Sequence, residues 1–362
     1  MPEAALLVDL DAIAANYARL RAEAGGCRVA GVVKADAYGL GAERVASRLW
    51  AAGCEEFFVA RLAEGVALRR HVPEARIFVL EGPGHGEVED FVVASLVPVL
   101  NTPGEIELWG EAGRRLGRPL PAALHLDTGM CRLGLSVAEA AELDADRLRA
   151  IDVALVMSHL ACAEETANPM NALQAARFGE MSRGLPGAPR SFANSSGIFL
   201  GPAYHFDLLR PGAALYGINP TPGRANPMRP VVRIRAPVLQ VHRLDAPGTV
   251  GYGAAHATSS GSRIATVGVG YADGYMRAAG AGSVAMIAGR EVPIVGRISM
   301  DLMTLDVTAL DEHEVEAGTP VELLAGPGGI DRVAEAAGTI GYELLTRLGH
   351  RFRRVYLEST GA

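Results

Sequence analysis

The chain has 362 residues, 49% of them hydrophobic and 21% charged, with a formal net charge of -7 at pH 7. That balance suits a soluble globular protein with one large and one smaller domain, and the negative charge argues against nucleic acid as the main partner. No apolar run reaches the roughly 18–20 residues needed to cross a bilayer. The N-terminus, MPEAALLVDLDAIAANYARL, carries acids where a secretory leader would carry bases, so the cytoplasm is the expected location.

In chain order, DLDAIAANYARLRAEAG reads as a helix with Asp9 or Asp11 as its N-cap. From about residue 28 to 220, short apolar runs alternate with amphipathic stretches. The runs are RVAGVVKAD, EEFFVAR, ARIFVLEG, LVPVL, AALHLD, DVALVMSH, RSFANSS and FDLLRPGAALYG. Between most of them lie helical patterns such as AERVASRLWAAG, LAEGVALRRHV, PGEIELWGEAGRRLG, VAEAAELDADRLRA and NALQAARFGEMSRGL, ending near Gly or Pro. Before the last run stands only IFLGPAYH, too short for a full helix. Eight strands with intervening helices predict an α/β fold, a (β/α)8 barrel of TIM type. A Pro/Gly/Asn-rich linker, NPTPGRANPMRP (219–230), follows, and then the period changes to alternating strands with tight turns. A helical piece, DRVAEAAGTIGYELLTRLG, precedes a last strand, RRVYLE. The expected domains are therefore a barrel over 1–228 and a mainly-β domain over 229–362.

Cys27, Cys54, Cys131 and Cys162 are scattered without a C-x-x-C pair, so free thiols are expected and no metal site. The basic residues are more telling: 33 are arginine and one, Lys34, is lysine. Drift toward arginine explains the 33 but not the survivor. Arginine can neither form a Schiff base nor lose its proton at ordinary pH, and lysine can do both. Lys34 ends the first barrel strand, where such folds place their active sites. Tyr38 follows it, His159 ends MSHLA, Asn194, Ser195 and Ser196 end RSFANSS, and Arg210 precedes PGAALYG. An amine, hydroxyls, an arginine and a Ser/Gly set at one rim suit an aldehyde-bearing, phosphorylated cofactor.

Nine segments occur in a fixed order: VVKADAYGLG, HLDTGMCRLG, MSHLACAEE, ANSSGI, LLRPGAALYG, VGYGAAHAT, VGYADGYMR, VGRISMDLM and IGYELLTRL. They closely resemble the motifs of the fold-type III alanine racemases, which depend on pyridoxal 5'-phosphate (PLP), over nearly the whole chain. The resemblance implies that Lys34 binds PLP covalently and serves as one catalytic base. It makes Tyr252 the opposite base, reaching the site of the other subunit of a homodimer. Arg132 would hydrogen-bond the PLP phenolic oxygen and, with the backbone N–H of Met300, hold the substrate carboxylate. Tyr38, Ser195, Gly212, Ala213 and Tyr342 would bind the phosphate, with Asn194 beside them. Arg210 would face the pyridine nitrogen, His159 would lie beneath the ring, and Tyr271 and Arg297 would line the entrance for the amino-acid substrate, alanine.

Taken singly, several of these have plainer explanations: Tyr271 and Tyr342 as core tyrosines, His159 as an interior histidine, Met300 as packing, Arg132 as a surface cation. The shared register of nine motifs is what raises them. Chemically, racemisation takes a proton from one face of a carbon and returns one to the other, which two bases on opposite faces do most simply. Arginine stays protonated and hands no proton to a ring nitrogen, so Arg210 would favour prompt return of the proton.

There are departures. Many relatives carry a lysine two residues before the DTGM aspartate, carbamylated so as to bridge to the catalytic arginine; His125 stands there, and no second lysine exists. Another group, His125 or a bound anion, is then expected to orient Arg132. Ser299 replaces a frequent cysteine, and Cys131 has no assigned role. The competing readings are a broader-specificity racemase acting on serine, a PLP decarboxylase with the same two domains, and a non-catalytic PLP-homeostasis protein. The decarboxylase would want a carboxylate at the ring nitrogen, and the homeostasis protein would lack the β domain.

Overall fold

The computed structural model describes residues 3–185, 187–280 and 282–359. The chain separates into two compact units. One holds Ile13–Leu215 and Asn219–Met228; the other gathers the N-terminal residues through Ala12, Tyr216–Ile218 and the chain from Arg229 onward.

A strand absent from the pattern reading opens the chain, β1 (Ala5–Asp9). Five residues with no turn signal before the next helix leave no period to read, and only pairing makes them a strand. Helix Leu10–Glu23 follows directly. Asp9 caps it, its Oδ1 accepting the Ala12 N–H at 2.8 Å.

The larger unit contains β2 (Arg28–Val29), β3 (Gly31–Val32), β4 (Glu56–Val59), β5 (Arg76–Val79), β6 (Val97–Leu100), β7 (Leu120–His125), β8 (Ile151–Met157), β9 (Arg190–Ser191) and β10 (Leu208–Leu209). They pair in the order β2-β10-β9-β8-β7-β6-β5-β4-β3, all in parallel. β2 and β3 are successive halves of one run broken at Ala30, so both ends of the order belong to one strand and the sheet closes as an eight-stranded barrel. Phe58 and Phe78 stack with ring centroids 4.6 Å apart.

The intervening helices form where the 3.6 period predicts them. In Pro103–Arg115 the Thr102 hydroxyl accepts the Glu105 N–H at 3.2 Å, and Ile106, Trp109 and Ala112 are buried. Pro169–Met181 starts at Asn168, whose side chain accepts the Met170 N–H at 3.0 Å; it buries Asn171, Gln174 and Phe178. Residues 137–150 make two short helices rather than one, Val137–Ala141 and Ala145–Arg149, because the Asp144 carboxylate caps the second by accepting the Arg147 N–H. The connector IFLGPAYH holds one short helix end and a single 3₁₀ turn, Pro202–Tyr204.

The second unit is built on β11 (Val232–Arg243), β12 (Gly248–Val250), β13 (His256–Thr258), β14 (Arg263–Val267), β15 (Val284–Ile287), β16 (Arg290–Val295), β17 (Met303–Asp306), β18 (Pro320–Leu323) and β19 (Arg353–Leu357). β14-β17-β16-β15-β18-β11 closes on itself through β11–β14, an antiparallel barrel. β1 lies between β11 and β19, antiparallel to the first and parallel to the second. The helical piece forms Gly329–Ala336 and Gly341–Arg347. Among the described residues, no helix is long and apolar enough to cross a membrane.

Candidate active site

The C-terminal ends of the parallel strands carry a dense polar set, as barrels of this kind require. Lys34 follows β3 after a single residue, Val33. Ala35, Asp36, Ala37 and Tyr38 then run with φ of 53, 54, 52 and 57°, a left-handed turn made without glycine. Such a conformation costs roughly 1–2 kcal/mol per residue and persists only where the surroundings enforce it. Here Glu64 Oε1 accepts the Ala35 N–H at 2.8 Å, and Asp36 Oδ1 accepts the Ala42 N–H at 2.7 Å. The turn buries Tyr38 and brings it against Gly212, where a Cβ would stand 2.4 Å from the tyrosine hydroxyl.

Burial lowers the pKa of the Lys34 amine; Arg132 and Arg210 push it the same way, and Glu64 partly opposes them. The amine has no hydrogen-bond or ion-pair partner among the described residues.

Arg210 is buried. It donates through Nη1 to Ser191 Oγ and through Nη2 to the Ser158 carbonyl at 2.5 Å, with His159 Nδ1 at 3.4 Å from Nη2. Its guanidinium lies 5.8 Å from the Phe58 ring centre. Burial lowers Arg210 to about 9, so it is still a cation at neutral pH. Burial, then Arg210 and Arg132, push His159 well below the usual histidine range, leaving a neutral imidazole.

His125 ends β7. Asn101 Nδ2 donates to the Val99 and Leu80 carbonyls, so its Oδ1 faces His125 Nδ1 at 2.8 Å as acceptor and Nδ1 carries the proton. Burial, then Arg210 and Arg132, push His125 down to about 4. Arg132 is exposed on the following loop. Burial works to raise Asp127 at the start of that loop, but the N–H groups of Gly129, Cys131 and Met130 outweigh it and hold the carboxylate low.

A second group surrounds Ser195. Ser195 Oγ accepts the N–H groups of Gly212 at 3.0 Å and Ala214 at 3.2 Å, with Ala213 between them and Tyr38 alongside. The Asn194 side chain is turned to the backbone, accepting the Gly197 N–H at 2.9 Å. Its place is that of a helix cap.

Within the barrel unit, the structure thus gathers Lys34, Tyr38, Arg132, His159, Ser195, Arg210, Gly212 and Ala213. The C-terminal unit carries the other candidates. Tyr252 is 68% exposed on the turn after β12, and a Cβ on the next residue, Gly253, would lie 3.1 Å from Arg297 Nη1. Tyr271 and Met300 are both exposed, and the segments carrying them are joined: the Tyr271 N–H donates to the Ser299 carbonyl and the Ala272 N–H to the Met300 carbonyl. Tyr342 lies in the first turn of helix Gly341–Arg347.

Sequence reasoning missed Glu64, Asn101, Thr128, Ser158, Gln174 and Ser191. One signal was available: Gln174 falls on the face of its helix that buries Phe178 four residues on, and a glutamine there needs partners.

A parallel barrel with a lysine amine and a set of hydroxyl and backbone N–H groups at its strand ends is the frame of a class, the enzymes that can bind a phosphorylated aldehyde as a Schiff base. The family model described as alanine racemase, N-terminal domain, matches residues 8–220, and the one described as alanine racemase, C-terminal domain, matches 231–356. An alanine racemase of Rhodospirillum rubrum is 52% identical, over 98% of this chain and 96% of the relative. A catabolic alanine racemase of Mesorhizobium japonicum is 48% identical, over 98% and 93%. The crystal structure of alanine racemase from Bartonella henselae with covalently bound pyridoxal phosphate superposes with a TM-score of 0.92 at 38% identity, covering 99% of this chain and all of that one. The chain belongs to the alanine racemase family, and it is an isomerase of the amino-acid racemase class.

Proposed function

We propose that the chain interconverts L-alanine and D-alanine with PLP held on Lys34, using Lys34 and Tyr252 as bases on opposite faces of the substrate. The observation that supports this most is the pairing of the single lysine, its amine buried and without a hydrogen-bond or ion-pair partner among the described residues, with the hydroxyl and backbone groups around Ser195 at one end of one barrel. These groups fit a phosphate: Gly212 leaves no room for a side chain beside the Tyr38 hydroxyl, and the Ser195 hydroxyl takes two backbone N–H groups, which frees its own proton to donate.

Bound there, PLP would withdraw electrons from the substrate α-carbon and acidify its hydrogen. The remaining work falls to the chain. Lys34 Nζ, its pKa lowered by burial and by the two arginines, takes or returns a proton at one face of the α-carbon. Tyr252 Oη, exposed on its turn, does so at the other face, supplied by a second copy of the chain. Arg132, with the Met300 N–H of that copy, holds the substrate carboxylate. Arg210 stays charged at neutral pH and would set a guanidinium rather than a carboxylate at the ring nitrogen. Tyr38, Ser195, Gly212, Ala213 and Tyr342 hold the phosphate, and Tyr271 and Arg297 stand at the entrance. The working form is a cytoplasmic homodimer, supplying D-alanine to peptidoglycan or returning it to the L pool.

Chiral chromatography of L-alanine incubated with PLP-loaded protein tests the reading, with L-serine and L-lysine in parallel. Equal amounts of L- and D-alanine are expected at completion, since enantiomers have equal free energy. Alanine that remains wholly L would overturn it.

A further inference from the structure

We infer that Gln174 is a positioning residue, which fixes the loop carrying Arg132 to the segment carrying His159 and Arg210. Gln174 lies on helix Pro169–Met181 and is fully buried. Both amide N–H groups and the carbonyl oxygen are engaged. Nε2 donates to Thr128 Oγ1 at 3.2 Å and to the His159 carbonyl at 2.9 Å, and Oε1 accepts the Ala161 N–H at 2.9 Å. One side chain therefore ties the turn after β7 to the turn after β8.

The tie continues to Arg210. Thr128 Oγ1 accepts from Gln174, so its own proton is free to donate to Ser158 Oγ, 2.8 Å away. The carbonyl of that same Ser158 receives Arg210 Nη2. Thr128 and Ser158 are each 1% exposed, so water cannot substitute for a lost bond. On the other side of Thr128, the Asp127 carboxylate collects the N–H groups of Gly129, Met130 and Cys131 and leads straight into Arg132. The loop is also set down on the helix: the Thr128 carbonyl accepts from Arg177 at 3.3 Å, and a Cβ on Gly129 would stand 2.5 Å from Met170 Cε.

Arg132 itself is exposed and has no hydrogen-bond or ion-pair partner among the described residues. Its placement relative to Arg210 is therefore set by its loop and not by its side chain. Gln174 touches neither substrate nor cofactor in this account; it acts through Thr128. The catalytic half of the inference rests on the proposed racemase reading, and the structural half does not.

The test uses full-length protein with Gln174→Met, Thr128→Val and, as conservative rescue, Thr128→Ser. In the cofactor-free protein, hydrogen–deuterium exchange should quicken about tenfold over 127–133 in the first two variants and stay unchanged over 34–40 and in Thr128→Ser, since loss of buried hydrogen bonds shifts a local opening by about that factor. In PLP-loaded protein, the KM for alanine should rise about tenfold, with a smaller fall in kcat and PLP affinity within about twofold of wild type. Unchanged exchange over 127–133, or faster exchange spread evenly over the barrel, would overturn the inference. Wild-type protein that racemises nothing would remove the racemase reading and leave the exchange result standing.

Discussion

Replacing Gly212 with alanine should weaken PLP binding without disturbing the backbone. Gly212 does not have a left-handed φ, so alanine is conformationally allowed there. The cost comes from close approach alone. The added Cβ would lie 2.4 Å from the Tyr38 hydroxyl, 3.1 Å from its Cζ and 3.3 Å from Val32 Cβ, whereas contacts under 3.0 Å are essentially never made. The hydroxyl must therefore retreat by about 0.6 Å, the difference between 3.0 and 2.4. Tyr38 is buried at the end of a left-handed turn, so it cannot swing clear. Overpacking of this kind costs about 1–3 kcal/mol, and a hydrogen bond to a charged group is worth about 1.5–3 kcal/mol. PLP affinity should fall by about 10- to 100-fold, read by equilibrium dialysis of the cofactor-free protein. Pyridoxal, which lacks the phosphate, should bind to both forms nearly alike. In a Tyr38→Phe background the alanine should cost much less, because the atom it strikes is gone. Wild-type affinity in Gly212→Ala, or full additivity with Tyr38→Phe, would refute the phosphate site.

Borohydride reduction of the PLP-loaded protein should label one peptide, that containing Lys34, since no other lysine exists; a second labelled site or none counts against the anchor. Tyr252→Phe should abolish racemisation while keeping the cofactor absorbance, and bleaching of that absorbance would reassign the residue. Mixing Lys34→Ala with Tyr252→Phe subunits should restore activity to about a quarter of wild type, because half the dimers are hybrid and each hybrid has one complete site; no recovery would place both bases in one subunit. Burial holds His125 at about 4, against 6.5 when unfolded, so the unfolded chain binds the extra proton first. Stability contributed by the neutral imidazole is full above pH 6.5, falls toward pH 4 by up to about 3 kcal/mol and levels off below. Denaturant melts of His125→Asn should show a flatter acid limb, and an unchanged limb would refute the assignment.

The period of apolar residues placed eight strand runs, the change of period at the linker marked the β region, and a single lysine in a background of arginine pointed to an amine-dependent site. These are local signals, carried by neighbours in sequence. β1 was not legible, because its five residues become a strand only through pairing with β11 and β19, each more than 200 residues away. The left-handed turn after Lys34 was equally silent: alanine and tyrosine disfavour it, and it is held by Glu64 from a distant helix and by the Asp36 side chain reaching forward to Ala42. His125 could be named from its motif position, but its tautomer depends on Asn101, whose own amide is oriented by two carbonyls. Gln174 makes the same point. A glutamine in an amphipathic pattern is ordinary, and it acquires a role only when two separate turns converge on its amide in a space that excludes water. The chemistry of this site was written in residue types; its geometry was decided by buried polar groups that had to find partners far away in the chain.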